Sequence, residues 1–210
     1  MSLANKLTLF RVFLSPVFFI FYFLPGFFPS WFVNGSAWTV PVLWLIFIVS
    51  EVTDLLDGMA ARKLNEVSDF GKLFDPFADT LMQITCFLCF VIDRVFPAIL
   101  FLLVIYREFS ILFMRNLMLK KGIAMGARLS GKIKTVTYII AGGAALLAVS
   151  LQRLSIFGFL FPYFKTGAVI IFVISVIFSL ASFTDYLLIY RKTVLTAAPN
   201  PRQTHEMKRM

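Results

Sequence analysis

The chain has 210 residues, of which 60% are hydrophobic and only 15% charged, and its mean hydropathy is +0.87, far from a soluble domain in which about a quarter of residues are charged. Its net charge of +9 comes without any nucleic-acid recognition motif, so a soluble basic module and a nucleic-acid partner are both excluded.

The apolar residues fall into blocks, each near the roughly 20 residues that cross about 30 Å of hydrocarbon. They predict an all-α bundle of six transmembrane helices over 9–28, 37–60, 74–92, 95–118, 134–151 and 166–190. The first block continues through Phe28 without an A-x-A cleavage site, so it reads as a span and not a signal peptide. Pro16 inside it and Pro97 before the fourth block are places where a helix kinks or begins. Cys86 and Cys89 form a CxxC inside the third block, with no partner ligands nearby in sequence, and read as small residues packed in a helix.

The longest polar stretch within the body, Lys120 to Lys134, reads as a binding loop between the fourth and fifth helices. Gly142 and Gly143, followed by Ala144 and Ala145, offer a close-packing surface on the fifth helix. One domain over 1–192 is expected, followed by a poorly ordered tail over 193–210 that holds the single histidine, His205.

Six crossings put both termini on one side of the membrane. With that side cytoplasmic, all but Arg94, Arg153 and Lys165 of the 20 basic residues fall on inner segments, the asymmetry of the positive-inside rule. The expected location is therefore the cell (inner) membrane, with both termini inside.

Seven of the 11 acidic residues lie between Glu51 and Asp79: Glu51, Asp54, Asp57, Glu66, Asp69, Asp75 and Asp79. Carboxylates at the ends of membrane helices are costly unless paired, hydrated or holding a cation. Asp54 and Asp57 share one helical face and Asp75 and Asp79 another. The two helices are consecutive and antiparallel, so the four side chains are placed to converge. An all-oxygen set of this kind suits Mg2+ or Mn2+ with phosphate as co-ligand, and two ions bridged by shared carboxylates are expected there. Gly58 and Gly71 leave the backbone open to a nucleotide, and Arg62 is placed to fork a phosphate.

As a string the segment reads Asp54 xx Asp57 Gly58 xx Ala61 Arg62, eight residues, Gly71 xxx Asp75 xxx Asp79. It resembles in full the signature of the CDP-alcohol phosphotransferase family. The resemblance implies a six-helix fold that usually forms homodimers, with an active site open to the cytoplasmic leaflet. It implies transfer of a phosphatidyl or similar group from a CDP-linked donor to an alcohol, releasing CMP. It assigns Asp54, Asp57, Asp75 and Asp79 to the metals, Asp79 also to the general base, and Gly58, Ala61, Arg62 and Gly71 to the cytidine and diphosphate.

Asp75 Pro76 xx Asp79 within this string, and three further stretches, are similar to the phosphatidylglycerophosphate synthase branch. The three stretches are Asn5 xx Thr8 xx Arg11, Arg107 Glu108, and Gly131 Lys132 Ile133 Lys134 Thr135. That similarity implies CDP-diacylglycerol as donor and glycerol 3-phosphate as acceptor, a dianion whose contacts would come from Thr8, Arg11, Arg107, Arg115, Lys132 and Lys134. Many members of the branch carry Lys directly after the fourth aspartate, where this chain has Thr80. Other acceptors of the family, namely inositol phosphate, serine, choline and phosphatidylglycerol, form the alternative. A cation transporter is the rival from another class; it would hold its carboxylates near the membrane midplane instead of at helix ends.

Overall fold

In the computed structural model the described residues are 3–27, 37–64, 69–120, 129–155 and 158–196, with side chains described at all of these except 3–5, 55–64, 69–73, 120, 129 and 193–196. They form six α-helices: α1 (Leu3–Phe27), α2 (Thr39–Leu64), α3 (Asp69–Ile92), α4 (Ala98–Lys120), α5 (Leu129–Leu154) and α6 (Phe161–Thr196). A short 3-10 turn, Gly158–Leu160, leads into α6.

All six expected helices are present, and each outruns its apolar block at one end or both. An apolar block marks contact with hydrocarbon, whereas backbone hydrogen bonding continues into the polar residues at the membrane edge. The stretch expected as a loop over 120–134 is accordingly helical from Leu129 onward, and only 121–128 lie outside the described residues. By the same logic α6 continues past 192 to Thr196; the rest of the tail, with His205, lies outside the described residues.

The fourth helix begins later than expected. The backbone amides of Val95 and Phe96 both reach the carbonyl of Phe90, at 2.8 and 3.1 Å, and Arg94 takes a φ of 58°. This closes α3 tightly, and Pro97 then opens α4, its carbonyl receiving the Phe101 amide at 3.3 Å.

Stretches of α1, α3, α5 and α6 are long and apolar enough to cross a membrane. Arg107, Glu108 and Arg115 interrupt α4, and the described side chains of α2 end at Asp54. The outward surface is hydrocarbon-like, with Phe13, Leu45, Ile99, Phe113 and Ile177 all exposed; the chain is an integral membrane protein.

Helix α1 packs against both α2 and α3, while α5 pairs along its length with α6. The centre is aromatic. The Phe87 ring meets Phe96, Tyr138 and Phe172 edge-on, with centroids 5.1 to 5.5 Å apart, and Phe96 stacks on Phe172 at 4.0 Å. Gly142 admits Phe47 of α2 so closely that a Cβ there would sit 3.2 Å from the ring, as the small-residue surface of α5 predicted. Cys86 and Cys89 are buried free thiols in this core.

Contacts at the two ends show that the helices alternate in direction. At one end Arg153 of α5 donates to Thr39 Oγ1 (2.8 Å) and to the Tyr22 carbonyl (2.9 Å), while the Tyr22 hydroxyl donates to Asp93 (2.7 Å). At the other end α1, α3 and α5 begin, α2, α4 and α6 finish, and the charged residues of the middle segments gather.

Candidate functional site

Helices α1, α2 and α3 build one wall of the site. Asp54 lies near the end of α2, and Asp75 and Asp79 lie one turn apart near the start of α3. Facing them, α1 presents Thr8, Arg11 and Ser15, spaced three and four residues apart and so aligned on one face. Thr8 Oγ1 donates to Asp75 Oδ1 at 2.6 Å. A single nitrogen of Arg11, Nη1, binds Oδ1 of Asp54 and Oδ1 of Asp79. One turn deeper, the hydroxyls of Ser15 and Thr85 share a hydrogen bond of 2.6 Å.

The carboxylates of Asp54 and Asp79 are 40% and 44% exposed, whereas the Arg11 side chain is 1% exposed. The guanidinium is therefore behind the acids, and the acids face open space. That space is a cavity of about 260 Å³. Glu51 and Gln83, one turn deeper on α2 and α3, line its floor with Ser50 and Met82.

The opposite wall comes from α4, α5 and α6. Arg107, Glu108 and Arg115 of α4 and Gly131, Lys132 and Lys134 of α5 line it, together with Tyr186 of α6. Glu108 Oε1 accepts from Arg107 Nη1 at 2.8 Å and from Lys134 Nζ at 3.0 Å. Arg107 also donates to the Ser179 carbonyl (3.2 Å) and to Ser182 Oγ (3.1 Å), and Lys134 lies 4.6 Å from the centroid of the Tyr138 ring. These two cations are fixed by protein partners.

Arg115 is held differently. Its Nη2 donates to the Tyr186 hydroxyl at 3.0 Å and its guanidinium lies over the same ring, 5.4 Å from the centroid. Among the described residues its buried Nε has no hydrogen-bond partner, nor has the buried Ser130 hydroxyl at the start of α5. Donor capacity toward an anion is thus concentrated where α4, α5 and α6 meet. Gly131 lies against Tyr186, where a Cβ would stand in ordinary contact with the hydroxyl at 3.6 Å.

Of the residues singled out from the sequence, Asp54, Asp79, Arg11, Arg107, Arg115, Lys132 and Lys134 share this one cavity. Thr8 and Asp75 lie beside it, joined to each other. Asp57, Gly58, Ala61 and Arg62 belong to the last turns of α2, and Gly71 to the first turn of α3; their side chains lie outside the described residues, as does Glu66. Tyr186 was not anticipated, because a tyrosine near the end of a membrane helix is indistinguishable by sequence from an interfacial anchor.

The acids fit a hard cation by chemistry. Two carboxylates from different helices already converge on one positive centre, and a third follows one helical turn away. Among the described residues no three acids close on a common point. The fourth aspartate of the motif, Asp57, lies outside the described side chains.

Residues 1–181 match the family model of CDP-alcohol phosphatidyltransferase. The chain is 38% identical over 195 residues to the CDP-diacylglycerol--glycerol-3-phosphate 3-phosphatidyltransferase of Treponema pallidum (strain Nichols), covering 89% of this chain and 88% of that one. It is 37% identical to the Bacillus subtilis (strain 168) enzyme of the same name, over 70% of this chain and 77% of that one. The Haemophilus influenzae enzyme of that name is 30% identical over 90% of this chain and 93% of its own.

Proposed function

Since the chain belongs to the CDP-alcohol phosphatidyltransferase family, we propose that it transfers the phosphatidyl group of CDP-diacylglycerol to glycerol 3-phosphate and releases CMP. The observation that carries this reading is the division of one cavity into an acidic wall, Asp54 and Asp79, and a basic wall, Arg107, Arg115, Lys132 and Lys134. The names of the three relatives point to the same pair of substrates.

The acidic wall takes the donor. Asp54, Asp57, Asp75 and Asp79 would hold Mg2+ or Mn2+, one ion or two, which neutralises the diphosphate and the charge on departing CMP. Gly58, Ala61, Arg62 and Gly71 would line the cytidine and diphosphate. The basic wall takes the acceptor dianion, chiefly through Arg115 and Lys132, because Arg107 and Lys134 already share Glu108. Asp79, with its exposed edge on the cavity, accepts the proton of the acceptor hydroxyl. The freed oxygen then bonds to the phosphorus that carries diacylglycerol, the anhydride bond breaks, and CMP leaves with the electron pair.

The bundle is oriented with this end on the cytoplasmic side of the cell membrane, a reading supported by the sidedness of the basic residues. A homodimer follows from the family resemblance. The test is CMP release by the purified protein in detergent with Mg2+ and CDP-diacylglycerol. Release is expected on adding glycerol 3-phosphate. A response only to inositol phosphate, serine, choline or phosphatidylglycerol would move the acceptor while leaving the reaction class intact. Silence with every acceptor from folded protein would overturn the proposal.

A further inference from the structure

The family resemblance implied Thr8 and Arg11 as acceptor contacts. We infer instead that α1 is the positioning element of the acidic wall: Thr8 and Arg11 set the carboxylates of Asp75, Asp54 and Asp79 from behind and leave their outer edges to a divalent cation. The inference rests on the metal reading above and concerns what makes that metal site competent.

Three observations point the same way. Thr8 and Arg11 lie three residues apart, on one face of α1, and both meet aspartates of the motif. Each of these contacts is made to Oδ1 of its aspartate. The exposure gradient also has the right sign. Arg11 is 1% exposed and its two partners about two-fifths, so a cation entering from the cavity meets carboxylate before guanidinium.

The physical need is plain. Asp54 and Asp79 come from different helices and repel each other in a low-dielectric wall. A cation seated between them fixes their separation before any metal arrives, and a hydroxyl fixes the rotamer of Asp75. Hydrogen-bonded partners behind metal ligands typically change metal affinity or activity by 10 to 100-fold, about what pre-orientation of a ligand set is worth.

The experiment is a Mn2+ titration of the full-length protein in detergent, with free ion read by electron paramagnetic resonance. Thr8→Val, nearly isosteric, is expected to weaken Mn2+ binding roughly 10-fold, and Thr8→Ser to restore it. Arg11→Gln is expected to weaken it by as much or more, with Arg11→Lys in between. Glycerol 3-phosphate affinity is measured in parallel. Variants that bind Mn2+ as tightly as the parent but lose glycerol 3-phosphate would overturn the inference and return both residues to the acceptor site. Tighter Mn2+ binding by Arg11→Gln would also overturn it, making Arg11 a competitor for the acids. Absence of Mn2+ binding by the parent protein would defeat the metal reading itself, an outcome separate from the other two.

Discussion

Glu108 and Lys134 meet across α4 and α5, carboxylate oxygen to ammonium at 3.0 Å, and the same oxygen receives Arg107 at 2.8 Å. All three side chains are largely buried. One acid therefore compensates two buried cations, and the basic wall of the cavity depends on it. A buried pair adds little over an apolar equivalent, but removing one partner strands a charge.

Glu108→Gln should accordingly destabilise the protein by about 3–5 kcal/mol while preserving side-chain shape. Thermal melting in detergent checks this. A melting temperature equal to that of the parent would show that the two cations find other compensation.

Tyr186 holds Arg115 by a hydrogen bond and by its ring face. Tyr186→Phe keeps the ring and loses the oxygen, a change worth about 1.5 kcal/mol for a bond to a charged group, or roughly tenfold. Steady-state kinetics should show KM for glycerol 3-phosphate rising by about that factor, with kcat and the KM for CDP-diacylglycerol near the parent values. A uniform fall in kcat for both substrates would speak for general loosening and against a role in placing Arg115.

Asp79→Asn removes the proposed proton acceptor but keeps a group that accepts a hydrogen bond from Arg11. Turnover should fall by about 10²–10⁴-fold, with an unchanged elution profile on size exclusion. Substantial CMP release by this variant would assign the proton to another group.

A Cβ at Gly142 would lie 3.2 Å from the Phe47 ring, tighter than ordinary contact, so a side chain there needs the ring to shift. Gly142→Val should force α2 and α5 apart and destabilise by about 1–3 kcal/mol, while activity per folded molecule changes little, since the contact is remote from the acids. Melting combined with active-site titration separates the two effects.

How much of this could be read from residue order varies with the interaction. The six helices were legible because hydrocarbon thickness imposes a length on apolar runs, and the acidic wall because Asp54, Asp75 and Asp79 follow helical spacing. Helix ends such as Leu129 and Thr196 were not, since helix continuation through polar residues leaves no mark in hydropathy. Pairings across distant helices were also hidden. Arg107 pairs with the adjacent Glu108, and it is Lys134 that crosses from α5 to the same acid. Nothing in the order of residues distinguishes Thr8 and Arg11 as neighbours of aspartates from Thr8 and Arg11 as ligands of a phosphate.

A second arginine clamp lies at the far end of the bundle. There Arg153 staples α5 to α1 and α2, and Tyr22 reaches Asp93 just beyond α3. Neither α4 nor α6 takes part in these bonds. Both extremities of the α1–α2 pair are thus tied by an arginine, Arg153 at one end and Arg11 at the other.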